Sequence, residues 1–458
     1  MGSVMNIDQK SVNKVALASV IGATIEWYDF FLYGVVAGLV LNKLYFPGDD
    51  PAMATLMAYA TFAVGFISRP LGGIIFGHFG DKIGRKKMLV VTLMIMGIST
   101  VAIGLVPTYA QIGVAAPLLL IFLRIIQGIG LGGEWGGAIL MAYEYAPPHR
   151  RGFYASLPQI GLSLGVLLSA IVIAALNYFL TEEQFMQWGW RSAFVLSFVM
   201  ILFGLWVRLS VMETPAFAQM KKEHGEAKVP FLDMIKRFPG NVLLGLGARH
   251  VDGVVFNIFA VFSISYLTDK IHLSRADALI GVMIASAVLT VFIPVFGWAS
   301  DKVNRFRFYA LASIITALSC YPAFWVMNQS EGNLWMIWLA VSIPFGVIYA
   351  SVYGPISGFL CELFDARVRY TGISFVYQLS SVFAGGLTPI IATLLLTANG
   401  GSPWMICAYV LGCGVLSSIC SLIIARRFRL AKATSSPAQA DAQAAPAANA
   451  PATSNYVS

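Results

Sequence analysis

Twelve long apolar stretches, broken by short polar turns that contain Gly or Pro, run through this chain of 458 residues. Their cores lie near 15–41, 53–79, 88–106, 113–145, 152–178, 192–209, 241–267, 277–299, 308–327, 334–361, 371–397 and 403–425. Each is long enough to cross ~30 Å of hydrocarbon as a helix. Backbone N–H and C=O groups in lipid must be satisfied within the segment, so the pattern predicts an all-α membrane protein. Composition agrees. The chain is 58% hydrophobic and 11% charged, whereas a soluble domain carries roughly 25% charged residues.

The net charge of +8 is divided by side. With both termini placed in the cytoplasm, most Lys and Arg fall in cytoplasmic segments. Lys43, Arg191, Lys270 and Arg275 fall in the opposite loops, and Arg69, Arg124 and Arg249 stand inside spans. This is the positive-inside bias of a protein embedded in a lipid bilayer. No basic run interleaves with aromatics on a soluble domain, so no nucleic-acid partner is expected. Met1 to Lys14 is polar, lacks a small-residue cleavage site and precedes an apolar run too long for a signal peptide, so the first span reads as retained. Met5 offers a second start. Cys320, Cys361, Cys407, Cys413 and Cys420 show no Cys-x-x-Cys spacing and no clustered His, so they read as packing residues, with no metal and no cofactor.

The chain also repeats itself. The loop Gly77-His78-Phe79-Gly80-Asp81-Lys82-Ile83-Gly84-Arg85-Lys86-Lys87 returns, at one constant offset, as Gly297-Trp298-Ala299-Ser300-Asp301-Lys302-Val303-Asn304-Arg305, with Asn304 where a second Gly is expected. Glu144 to Arg151 with Gly152 echoes Glu362 to Arg369 with Gly372. Two six-span halves follow. The expected organisation is a cytoplasmic N-terminus at 1–14, a bundle at 15–210, a cytoplasmic linker at 211–240 containing Lys221-Lys222-Glu223-His224, a second bundle at 241–428 and a disordered cytoplasmic tail at 429–458. The tail is rich in Ala, Pro and Ser and has no heptads.

Twelve spans in two halves with Gly-x-x-x-Asp-Lys-x-Gly-Arg-Lys between the second and third resemble the major facilitator superfamily. More narrowly, Glu26-Trp27-Tyr28-Asp29-Phe30-Phe31-Leu32-Tyr33-Gly34, Ser68-Arg69-Pro70-Leu71-Gly72-Gly73 and Arg124-Ile125-Ile126-Gln127-Gly128 resemble the metabolite:proton symporter family. So do Gly132-Gly133-Glu134-Trp135-Gly136-Gly137, Trp188-Gly189-Trp190-Arg191 and Glu213-Thr214-Pro215-Ala216-Phe217. The resemblance spans about 14–428 and is strongest in the first half, toward the shikimate-like branch. It implies two pseudo-symmetric six-helix bundles and alternating access. It also implies proton-coupled import of a small organic acid (shikimate-like, a dicarboxylate or an aromatic acid) across a bacterial inner membrane, by a chain working as a monomer. A zwitterion such as proline or betaine is the alternative within transport, and a non-transporting membrane sensor is the alternative outside it. The tail's lack of heptads argues against the osmosensory betaine branch. No His-Glu-x-x-His or Ser-His-Asp arrangement supports an enzyme, and Pro158, Gly161 and Gly165 do not form the Gly-Pro pattern of efflux antiporters. Gly128, Gly130 and Gly133 spell Gly-x-Gly-x-x-Gly inside a span with no preceding strand, which indicates close helix packing rather than a dinucleotide site.

The deep charges are the functional candidates, because an ionisable group near a bilayer centre costs at least ~2.5 kcal/mol and is kept when paired or used. Glu26 and Asp29 lie roughly 17 to 21 Å from the cytoplasmic end of the first span, on one helical face. Arg249 and Asp252 repeat that placement in the seventh span, so both pairs are expected at a central cavity between halves. Arg69, Arg124 and Glu134 complete the set: three arginines against four acids. Asp29, Glu26 and Glu134 are the expected proton-coupling groups, with Arg69 and Arg124 as candidate partners of the first-span acids. Arg249, Asp252, Arg69 and Arg124 are the expected substrate-binding set, with Arg249 the anion-binding member. Helix stapling through buried pairs is the competing reading, above all for Arg124 with Gln127. Gln127, Trp135, Gln159, Asn257, Tyr377 and Gln378 are candidate substrate contacts, with inter-helix hydrogen bonding as their alternative; Trp135 and Glu134 are both expected to project into the cavity. Gly77, Asp81, Gly84 and Arg85, with Asp301 and Arg305, are the expected gate, closing against acids or helix C-termini of neighbouring spans.

Overall fold

The computed structural model describes residues 9–48, 51–214, 217 and 229–435; Lys221-Lys222-Glu223-His224 and the chain beyond Ser435 lie outside the described residues. Among the described residues, twelve helices are long and apolar enough to cross a membrane. The first six spans are Gln9–Leu44, Ala60–Ile83, Arg85–Leu105, Ala115–Tyr145, Pro148–Phe179 and Glu182–Leu209. The second six are Pro239–Asp269, Ala276–Lys302, Arg305–Gln329, Leu334–Glu362, Arg369–Ala398 and Trp404–Leu430. No strand occurs among the described residues. Among the described residues the first helix covers Gln9–Val36, including residues ahead of its apolar core, and the last covers Trp404–Ser435, including the opening of the segment expected as tail.

Spans one to six pack chiefly on one another: first on fifth, third on fourth and sixth, second on fourth. Seven to twelve do likewise, with the twelfth against the seventh and ninth and the eighth against the tenth. Large apolar side chains such as Ile98, Val199, Trp206, Leu243, Val291, Leu311 and Leu394 point outward. An apolar outer surface suits helices whose solvent is hydrocarbon. Inside, small residues let backbones touch: a Cβ on Gly72 would lie 1.9 Å from the Ile129 carbonyl oxygen, and one on Gly132 2.0 Å from that of Arg69. Because the obstacle is backbone, Gly72→Val is expected to separate the second and fourth spans and cost about 1 to 3 kcal/mol, as overpacking does. A thermal-unfolding shift in detergent, compared with Gly412→Val where a Cβ meets nothing within 4 Å, checks this.

The two loop copies differ for a physical reason. Gly84 has φ +119°, a conformation that favours glycine, and it turns the chain from the second span into the third. Asn304 instead has φ −67°, and its side-chain oxygen accepts from the Arg307 N–H at 3.1 Å, capping the ninth span. The second copy makes its turn by capping and needs no glycine there.

Candidate functional site

The chain enters and leaves on one side of the bundle, called here the terminal end. A wide vestibule of about 760 Å³ opens at the other end, between Phe62 and Phe66 of the second span, Asn257 and Ile264 of the seventh, and Gly386 and Pro389 of the eleventh. Its walls loosen into π-helical turns at Ile258–Phe262 and Ser381–Gly386, a feature frequent at functional sites. Phe31, Phe66, Phe256, Asn257 and Gly385 also line a second cavity of about 50 Å³, deeper and between the two groups of spans. Arg69, Arg249, Asp252, Tyr349, Tyr353 and Tyr377 complete that chamber.

Arg69 is 2% exposed, and no carboxylate pairs with it among the described residues. Its guanidinium carbon lies 4.1 Å from the ring centres of Phe30 and Phe66, and its Nε and Nη2 have no hydrogen-bond partner. Arg249 is held from one side: Nη2 meets Asp252 at 3.2 Å and the guanidinium lies 3.6 Å from the Tyr377 ring centre, while Nε and Nη1 are unpartnered. Asp252 also accepts from the Tyr349 hydroxyl at 2.6 Å. Two guanidiniums and one carboxylate thus face the chamber, giving a surplus positive charge, where a negative surplus was expected. A buried cation without a partner is expensive to hold, and forked N–H donors suit a carboxylate.

The other candidates are placed elsewhere. Arg124 and Arg69 both lie against the ring of Phe30, and Arg124 binds the Gln127 side chain and the Phe62 carbonyl at 3.1 Å. Gln127 donates to Thr100 at 2.7 Å. Thr100 in turn touches the Asp29 carboxyl, which accepts from Ser197 at 2.5 Å. Arg124, Gln127 and Asp29 therefore form one polar chain inside the first six spans and do not line the chamber. Trp135 reaches the boundary between the two groups of spans, stacking on Tyr377 at 3.5 Å and donating to Gln159 at 2.8 Å. Gln159 donates to the Tyr353 carbonyl at 3.0 Å, and Gln378 to that of Gly132 at 3.3 Å. Asn257 lines both cavities and donates to Gly253 at 2.8 Å.

Neither Arg69 nor Arg124 pairs with the first-span acids. The partner is Arg208, near the end of the sixth span, whose Nη2 meets Glu26 at 2.9 Å and also binds Glu134. Its side chain reaches them across Gly22, where a Cβ would lie 2.1 Å from Nη2. Glu26 still lines a small space beside Arg69, Trp135 and Tyr377. Glu134 faces the opposite way from Trp135, toward Thr92 of the third span, because neighbouring helical residues point about 100° apart. Arg208 was hidden in sequence among the basic residues that set topology; Gly22, one turn before Glu26, is the signal that marked its path.

At the terminal end the two groups of spans are locked together. Asp81 accepts from the Tyr370 and Thr371 N–H groups at 3.2 and 2.9 Å and from the Thr371 hydroxyl at 2.9 Å, in the first turn of the eleventh span. Its repeat-mate Asp301 accepts from the Gly152 and Phe153 N–H groups at 2.7 and 2.8 Å, near the start of the fifth. The contacts joining the two groups include acids on helix N-termini, where free N–H groups and the dipole favour negative charge. Gly77 lets the seam close: a Cβ there would lie 2.7 Å from the Thr371 Cα. Arg85 meets Asp81 at 3.4 Å and Glu144 at 3.6 Å and donates to the Ala366 carbonyl at 3.0 Å. Arg305 pairs with Asp301 at 2.7 Å and with Glu362. The chamber is thus reached from one side and sealed on the other.

Residues 15–236 match the sequence profile described as Sugar (and other) transporter, and 246–456 that of the Major Facilitator Superfamily. The shikimate transporter of Escherichia coli (strain K12) is 38% identical over 413 residues, which cover 90% of this chain and 94% of that protein. The chain belongs to the major facilitator superfamily. It is also 40% identical over 395 residues, 85% of this chain and 89% of the relative, to the inner membrane metabolite transport protein YhjE of the same organism. The proton:xylose symporter XylE bound to 6-bromo-6-deoxy-D-glucose superposes with a TM-score of 0.73, covering 91% of this chain and 96% of XylE, at 17% identity. This superfamily member is accordingly a multi-pass inner-membrane transporter, built on the twelve-helix fold.

Proposed function

We propose that this protein imports a small organic acid anion together with a proton, with the vestibule facing the periplasm of a bacterial cell and both termini in the cytoplasm. Arg69 carries the reading: a buried guanidinium with no acid partner, at the floor of an open vestibule, receives the substrate carboxylate, and Arg249 supplies a second fork. The kinship to a protein named as a shikimate transporter fits an organic acid. The basic residues clustered toward the terminal end support the orientation.

Charge balance supports the coupling. Among the described residues, four arginines (Arg69, Arg124, Arg208, Arg249) and four acids (Glu26, Asp29, Glu134, Asp252) are buried within the spans, away from the clamps. The empty carrier is neutral in this region, and so is a carrier holding one proton and one monocarboxylate. With only one of the two on board, it bears a net charge that is costly to carry through an occluded state. The two bundles, 15–210 and 241–428, rock about this chamber, each chain acting alone because one chain builds the whole cavity.

Uptake into proteoliposomes tests this with shikimate, 2-oxoglutarate, citrate, benzoate, proline and betaine. A monocarboxylate is expected to accumulate when the outside is acidic, since protonation loads the carrier there. One pH unit is worth ~1.4 kcal/mol and supports roughly tenfold accumulation at one proton per anion. A potassium diffusion potential should add little. Accumulation indifferent to pH sinks the coupling, accumulation of proline or betaine alone moves the substrate to zwitterions, and binding without flux leaves a sensor.

A further inference from the structure

The shared Arg208 says where the proton sits and how it leaves. Both carboxyl groups, Glu26 and Glu134, bind the same guanidinium nitrogen, and they are also within hydrogen-bonding reach of each other. Two carboxylates converging on one cation offer a place for one added proton, because their mutual repulsion offsets part of the attraction of the shared guanidinium. The groups facing the pair are few. The first span adds Asp29, committed to Ser197 and Thr100; the second adds Arg69 across the small space; the third adds Thr92; and the eleventh adds Tyr370, whose hydroxyl donates to the Gly133 carbonyl at 2.8 Å. The sixth adds Arg208 itself, and the fifth contributes Pro158 and no charge.

Two separate spaces meet at this group. On one side Glu26 borders the space beside Arg69 and Trp135, which adjoins the substrate chamber. On the other, Arg208 lines a cleft of about 20 Å³ together with Val15, Ser19, Lys86 and Met141, room for a single water. Lys86 sits at the terminal end of that cleft, its ammonium donating to the Leu209 carbonyl at 3.0 Å. Resting on the proton-coupled reading above, we propose that the proton enters Glu26 and Glu134 from the substrate chamber and leaves through this cleft between the first, third, fourth and sixth spans. Arg208 is both counter-ion and gate. The carboxylic O–H breaks, the proton passes to a cleft water as hydronium, and the carboxylate left behind re-forms its pair with Arg208. Substrate and proton thus share an entrance and have different exits.

The test needs no organic substrate. Full-length protein is placed in liposomes that hold a trapped pH dye, with potassium and valinomycin clamping the potential. Wild type is expected to hold a pH gradient, Arg208→Gln to lose it, and Arg208→Gln with Ser19→Phe, which fills the cleft, to hold it again. A tight Arg208→Gln, or a leak that Ser19→Phe leaves unchanged, overturns the proposal. If Arg208→Gln does not assemble, Ser19→Cys decides with Arg208 in place: the five native cysteines are buried, and the new thiol should react with an impermeant methanethiosulfonate from the terminal side only. No reaction, or reaction from the vestibule side, removes the route. Should a pH gradient drive none of the six compounds while Arg208→Gln still leaks, the coupling reading fails and the path stands.

Discussion

Arg69→Gln is expected to weaken binding of the transported acid about 10- to 150-fold, the equivalent of one charged hydrogen-bonded pair at ~1.5 to 3 kcal/mol. Arg69 is buried with two guanidinium nitrogens unpartnered, so the substrate carboxylate has no competitor for it. Arg69→Lys keeps the charge but loses the fork, and should fall between wild type and Gln. Arg124→Gln is the control. Its guanidinium is also buried, but it is turned onto Gln127 and Phe62 and does not line the chamber. The half-saturation constant for the acid accumulated best from the panel, or a tryptophan-fluorescence titration reading Trp27 and Trp135, separates the two. Equal affinity in Arg69→Gln and wild type would take the anion site away from Arg69.

What sequence made legible was depth, and what it left open was azimuth. Periodicity in apolar length places Glu26, Asp29, Arg249 and Asp252 well inside the bilayer, and the structure buries all four. The same spacing cannot say which of several neighbouring helices a side chain meets. Asp29 is one turn from Glu26, yet it turns to Ser197 while Glu26 turns to Arg208. Arg208 was the hardest to read: a long side chain at a helix end is indistinguishable, in one sequence, from a basic residue that only sets topology. Trp135, expected to face the cavity, instead borders the small space beside it and is covered by the Tyr377 ring, which one sequence could not show. The repeated loops did expose the gate, because Asp81 and Asp301 stand at equivalent places in the two copies. That each would meet a helix N-terminus of the opposite group depended on where the fifth and eleventh spans begin, which apolar length fixes only loosely.

Those two carboxylates set up the second large effect. Each accepts N–H groups from the first turn of a span in the other half, so each clamp is worth on the order of 1.5 to 3 kcal/mol of closure at the terminal end. Inverting a two-state population from 99:1 to 1:99 takes ~5.5 kcal/mol. A seam closed 99:1 falls only to about 8:1 on losing ~1.5 kcal/mol, whereas losing both clamps, roughly 3 to 6 kcal/mol and additive because Asp81 and Asp301 share no partner, takes it past even population. Asp81→Ala or Asp301→Ala alone is therefore expected to leave the terminal end mostly shut, while the double variant opens it. Spin labels on exposed Lys87→Cys and Arg307→Cys, one in each half, read this directly as a short distance in wild type and the single variants and a long one in the double. In proteoliposomes the double variant should bind substrate from the terminal side and lose accumulation, since a carrier held open on one side completes no cycle. If one substitution alone opens the seam fully, the two clamps are not equal, and the asymmetry would fall on Asp81, whose carboxylate also accepts the Thr371 hydroxyl.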